Sequence, residues 1–205
     1  AAQVFKSVDG GITWTGPVIA SGGDKQWLAV DDRPSGMGAG HIYQNWNVQF
    51  TCCVPNDFTR SINGGASFQS PIAIPQPSLK WGANDVGPDG TLYICGSTLN
   101  QSGHLVARSS NAKNPAVTPT FDFVNSVNLG GVTGGFGGAG DPNPGGLLGQ
   151  VWIAADPSNA NRVYMLASVV PPGGASLEVM FIRSIDRARA WSAPVRVTND
   201  AVSSV

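Results

Sequence analysis

Asp31, Asp32 and Arg33 stand side by side, with Tyr43 a short way downstream and Asp85 beyond it. A carboxyl moved out of water titrates closer to neutral pH, and a guanidinium or phenol beside it can orient an anionic or hydroxylated group. Asp31, Asp32, Arg33, Tyr43 and Asp85 are therefore the candidate catalytic residues for acid–base chemistry, expected to converge at one mouth of a channel. The sequence holds one glutamate, Glu178, on an apolar strand beside Val179 and Met180. His41 and His104 are isolated from each other and each begins a strand, so no metal site and no cofactor is expected. Of the three cysteines at least one must be unpaired. Cys95 reads as a buried free thiol, while in an oxidising compartment Cys52 can bond its neighbour Cys53, or one of the two can bond Cys95.

These residues hang on a repeat. Ser7-Val8-Asp9-Gly10-Gly11-Ile12-Thr13-Trp14 returns as Ser61-Ile62-Asn63-Gly64-Gly65-Ala66-Ser67-Phe68, and more weakly from Ser109 and from Ser184, where Asp186 and Trp191 follow. Lys6, Arg60, Arg108 and Arg183 precede the four copies. A period of about 50 residues, stretched before the last copy, suits one four-stranded blade. Within a copy the side chain of Asp9 or Asn63 can accept from backbone amides, and Gly11 or Gly65 permits positive φ. Trp14, Phe68 or Trp191 then adds an apolar plug. Such Asp and Ser residues serve turns and only resemble catalytic carboxylates. The third copy lacks the glycines and carries Pro115 and Pro119, which predicts a longer loop. The fourth has Arg187, Ala188 and Arg189 where glycines would help, which predicts a strained or differently shaped turn.

Between copies, short runs rich in Val, Ile, Thr and aromatics are bounded by Gly, Pro, Asn and Asp, which argues strands. The expected fold is all-β, a β-propeller of four-stranded antiparallel blades with about three and a half blades in an incomplete ring. The expected boundaries are a half blade at 1–20, blades at about 24–75, 80–128 and 150–198, and a glycine-rich insertion at 130–149. The insertion lacks the strand, helix and Lys of a phosphate loop and reads as a surface insertion or a lid. Trp27, Trp81 and Trp152 open successive blades and are expected to pack between them, although such rings also stack on sugars. The array is expected to belong to a longer chain, with further blades or a partner chain covering its apolar end faces.

The full-strength box from Lys6 to Trp14, the cadence Phe181-Ile182-Arg183-Ser184-Ile185-Asp186 with Trp191, and the segment Asp24 to Asp31 resemble the Asp-box (BNR-repeat) proteins of the sialidase superfamily. That resemblance spans nearly the whole chain and implies a propeller. It also implies a glycan ligand, a glycoside hydrolase acting on sialylated or related glycans, and a secreted, periplasmic or cell-surface location. Active members clamp a substrate carboxylate with three arginines and attack with a tyrosine paired to a glutamate, an exception among glycosidases. The Phe/Tyr-Arg-Ile-Pro segment of that family is absent here, and Arg60, Arg108 and Arg183 recur at one repeat position. No catalytic role transfers onto these residues, so a non-catalytic propeller binding glycan or protein stands beside the enzyme as the alternative.

Composition narrows the partners further. A formal charge of −1 and 12% charged residues give no electrostatic case for nucleic acid or an anionic membrane. No run approaches the ~20 apolar residues of a membrane-spanning helix. The 27 glycines and 15 prolines fit many tight turns between short strands.

Overall fold

The structure, a computed structural model, describes residues 1–49, 51–134, 150–173 and 177–199. Among them there is no helix, and every sheet is antiparallel. β1 (Ala2–Lys6) and β2 (Thr15–Ala20) form a hairpin. β3 (Asp24–Val30), β4 (Ile42–Asn47) and β5 (Phe58–Ser61) form the second sheet, and a bridge from Phe58 to Ile72 takes the fourth-strand position. β6 (Asn84–Val86), β7 (Leu92–Ser97), β8 (His104–Ser109) and β9 (Phe123–Val127) form the third. In the last, β10 (Val132–Thr133) and β11 (Val151–Ala155) pair with opposite ends of β12 (Val163–Val170). β13 (Glu178–Ser184) and β14 (Val195–Arg196) complete it.

The main strands of each sheet lie side by side in sequence order, so each sheet is a meander blade. First strands are neighbours: β3 lies beside β6, and β6 beside β11. A parallel bridge joins Gly82 to Val151, and a Cβ on Gly82 would sit 2.0 Å from the Cys95 carbonyl oxygen, so only glycine lets the backbones come this close. Blades stacked face to face along their inner strands make the fold a β-propeller array.

The core lies between blades. β7 is buried along its whole length because it packs on both sides. Leu92 and Ile94 meet Tyr43 and Phe58 of the second blade, while Tyr93 and Cys95 meet Ile153 and Met165 of the fourth. This is why the strand reads as an unbroken apolar run and not as an alternation.

Three expectations need adjustment. The fourth box is not differently shaped: Arg187 and Ala188 take φ of 64° and 63°, close to the 72° and 90° of Gly10 and Gly11. The strain expected there is therefore present, carried by two residues with Cβ atoms. Trp14 is no plug; it is 61% exposed and donates its Nε1 to the Gly11 carbonyl. Trp152 does not pack between described blades but lies on the open face of the fourth, whereas Trp81 is buried under the Lys80 ammonium. Of the glycine-rich insertion, 130–134 includes the short strand β10, and the surface or lid reading of 135–149 falls outside the described residues.

Candidate functional site

Two kinds of polar construction share the end of the blades where third strands turn into fourth strands. The first is the box turn. Ser7 Oγ donates to Asp9 Oδ1 at 2.7 Å and accepts the Gly11 amide at 2.8 Å, while the Thr13 amide donates to Asp9 Oδ1 at 2.9 Å. Ser61 with Asn63 and Gly65, Ser109 with Asn111 and Ala112, and Ser184 with Asp186 and Ala188 repeat the pattern. In the third copy the closing amide comes from Thr120, across the longer loop. Hydrogen bonds from Thr13 and Ser7 hold the Asp9 carboxyl down to about 2, and those from Ala190 and Ser184 lower that of Asp186. These carboxylates stay charged and occupied by their own turns. Among the plugs, Phe68 and Trp191 are half-buried.

The second is an ionic cluster where β3 leaves its blade. Asp31 is 1% exposed, and its two carboxylate oxygens accept from Arg33 Nε at 2.7 Å and Arg33 Nη2 at 2.6 Å. Arg33 Nη2 also donates to the Met37 carbonyl, and the guanidinium rests against Gly90 of the next blade. Tyr43 lies nearby, fully buried, and burial pushes its phenol well above its ordinary range. A nucleophilic tyrosine needs the opposite shift. Asp31, Arg33 and Tyr43 are thus brought together, but as a closed ion pair over a neutral phenol.

Asp32 and Asp85 form the pair with chemical latitude. Asp32 is exposed on the loop after β3, and Asp85 is half-buried on the adjacent inner strand β6. Burial raises the Asp85 carboxyl, and the charge of Asp32 raises it further. Two amides oppose the rise, Ala155 N on Oδ2 at 2.7 Å and Val86 N on Oδ1 at 2.8 Å. A carboxyl inclined to hold its proton next to one that is solvated is the asymmetry an acid–base pair requires.

Two of the three arginines of the repeat, Arg60 and Arg108, are committed elsewhere. Arg60 is buried, and its guanidinium donates to the carbonyls of Ala112, Asn114 and Val117 and to Gln69 Oε1. Arg108 donates to Asp122 at 2.7 Å and to the Arg187 carbonyl at 3.0 Å. Lys6, Arg60 and Arg108 all reach into the following blade.

Of three buried groups at the opposite end of the strands or within them, sequence reading missed Asp57 and named His104 and Glu178 without their partners. Asp57 is buried just before β5, its Oδ1 accepts the Ile74 amide at 2.7 Å, and burial pushes its carboxyl up to about 7. His104 is buried with Nε2 3.1 Å from Thr133 Oγ1, and burial brings it down to about 4. Glu178 is buried and accepts from Arg196 Nε and Thr198 Oγ1, each at 2.6 Å. No sequence signal marks Asp57, because its burial depends on where the bridge to Ile72 falls. Among the open cysteine pairings, Cys52 bonds Cys53, and Cys95 is free and buried with its thiol raised by desolvation. Among the described residues, no three His, Cys, Asp or Glu side chains are grouped to hold a metal ion, and no helix is long and apolar enough to cross a membrane.

No protein-family model and no curated protein matches the sequence. Solved structures do. The α-L-arabinofuranosidase Arb93A from Fusarium graminearum, a mutant in complex with an iminosugar inhibitor, is similar at 19% identity with a TM-score of 0.52, over 83% of this chain and 47% of that one. A second structure of Arb93A with an iminosugar inhibitor gives 20% identity and a TM-score of 0.51, over 84% of this chain and 48% of that one. The chain spans about half the length of the structures it matches. At this identity the likeness establishes the propeller fold and nothing finer.

Proposed function

We propose that this chain is part of a glycoside-hydrolase-like propeller whose ligand is a glycan, with Asp85 as the proton donor and Asp32 as the solvated carboxylate beside it. The observation that carries the reading is the asymmetric carboxyl pair of Asp85 on β6 and Asp32 on the loop after β3, one raised by burial and by its neighbour, the other exposed. The likeness to an arabinofuranosidase propeller is consistent with it. A neutral sugar fits better than a sialylated one. An anionic sugar calls for a cationic clamp, and Arg60 and Arg108 spend their guanidinium groups on backbone carbonyls and Asp122. A secreted or cell-surface setting accords with the Cys52–Cys53 disulfide.

A second reading has its own support: both Asp85 oxygens accept backbone amides, one from the next blade, as in a purely structural brace. The propeller is then a glycan-binding module. Fluorogenic arabinofuranoside and sialoside substrates, with glycan-array binding in parallel, separate the two. Turnover of the neutral substrate that falls at least ~100-fold in both Asp32→Asn and Asp85→Asn supports the hydrolase. Binding without turnover makes it the module, and turnover of the sialoside alone overturns the neutral-sugar assignment.

A further inference from the structure

The hairpin that joins β7 to β8 carries a triplet that neither the blades nor the carboxyl pair uses. Asn100-Gln101-Ser102 is the one place in these 205 residues where a serine or threonine stands two positions after an asparagine with no proline between them. That is the acceptor pattern for N-linked glycosylation, which requires it on a surface loop. The third blade packs between the second and the fourth, so the tip of its hairpin lies at the surface with both neighbours in place. Asn100 and Ser102 are both exposed there.

The local geometry presents the amide. The Thr98 amide donates to the Gly103 carbonyl at 2.9 Å, and the Gly103 amide donates to Thr98 Oγ1 at 3.2 Å, which closes the base of the loop. Gln101 takes φ of 62°, and this left-handed step turns Ser102 back onto Asn100. Asn100 Oδ1 accepts from Thr98 Oγ1 at 2.8 Å, from Ser102 Oγ at 2.8 Å and from the Ser102 amide at 3.3 Å. Oδ1 is thus the anchored branch of the side-chain amide, while Nδ2 donates to none of the described residues and is left to solvent. Donors on Oδ1 also draw charge from the amide and make an Nδ2 proton easier to remove.

We propose that Asn100 is an acceptor site for an N-linked glycan. Nδ2 attacks C1 of the reducing-end sugar of an oligosaccharide carried on a polyprenyl diphosphate. The N–C1 bond forms as the C1–O bond breaks, the polyprenyl diphosphate leaves with the electron pair, and one Nδ2 proton passes to a base of the transferase. The proposal rests on the secreted setting given above and is independent of the glycosidase chemistry. The Cys52–Cys53 bond, between β4 and β5 at the same end of the blades, belongs to the oxidising compartments through which such chains pass. Antiparallel pairing puts the β7–β8 hairpin at the end opposite the box turns, so a glycan on Asn100 leaves Asp32 uncovered.

The test is secretion of the whole 205-residue chain from a eukaryotic host, behind a secretion leader, followed by intact-mass measurement. The expected result is the mass of the chain plus a core oligosaccharide. Peptide N-glycosidase should remove it and leave a carboxyl where the Asn100 amide stood, read on the peptide by tandem mass spectrometry. Asn100→Gln and Ser102→Ala should each lose the whole increment, and Ser102→Thr should keep it. Both positions are exposed, so thermal midpoints matching that of the deglycosylated parent confirm that the variants fold. Mass does not depend on turnover, so a failure of the glycoside assays leaves this test standing. A secreted parent with a bare Asn100, or an increment that survives Asn100→Gln, overturns the proposal.

Discussion

At the scale of single residues, Asp57 and His104 are buried groups whose titration opposes each other. The folded state keeps a proton on Asp57 up to about pH 7, whereas its ordinary value is 3.8. Between those values the folded chain binds more protons than the unfolded one, so stability falls as pH rises from about 4 to 7 and is flat above. His104 is brought from 6.5 down to about 4, so in that interval the unfolded chain binds more protons and stability rises with pH. The two slopes largely cancel in the parent. Asp57→Asn, which keeps an acceptor for the Ile74 amide, should unmask the His104 slope and gain up to about 4 kcal/mol relative to the parent at pH 8. Urea midpoints at pH 4, 5.5 and 8 check this, and pH curves that run parallel for parent and variant would remove Asp57 as the cause. The notable feature of Asp31 is different in kind: a residue chosen for chemistry from its neighbours in sequence is closed off by one of them, Arg33.

At the scale of elements, the box turn is a unit whose serine satisfies two partners at once. Ser184 Oγ donates to Asp186 Oδ1 at 2.8 Å and accepts the amide of buried Ala188 at 2.9 Å. Ser184→Ala leaves that amide unpaired away from water and should cost about 1–2 kcal/mol in chemical denaturation. Ser7→Ala, in an exposed copy of the same turn, should cost no more than about half as much, because solvent replaces the lost partner. Equal costs at both sites would mean that the turn, and not its burial, sets the energy. The boxes were legible in sequence because a local turn depends on residues two to four apart. The recovery of the turn at Arg187 and Ala188 was not, because packing of Ala188 against the third and fourth blades holds the strained backbone in place.

At the scale of the whole molecule, blades are joined by side chains that leave their own sheet. Arg60 carries the deepest of these joints, its guanidinium buried against three carbonyls of the third blade's box loop. Arg60→Gln should destabilise by about 3 kcal/mol or more and lower the cooperativity of unfolding, since it strands buried carbonyls and loosens a single junction. A calorimetric trace that broadens or splits is the expected signature, and one sharp transition at an unchanged midpoint contradicts it.

Sequence by itself determined the all-β blades, their order and the four serine-led turns, because strand alternation, turn glycines and box spacing are local patterns. It also showed that Arg60, Arg108 and Arg183 share one repeat position. Only the tertiary structure decided which carboxyls are buried, that Asp32 on the loop after β3 influences Asp85 on β6, and which carbonyls Lys6, Arg60 and Arg108 reach. Those facts depend on how one blade is set against the next, and the groups concerned lie tens of residues apart in the chain, where no short-range pattern connects them.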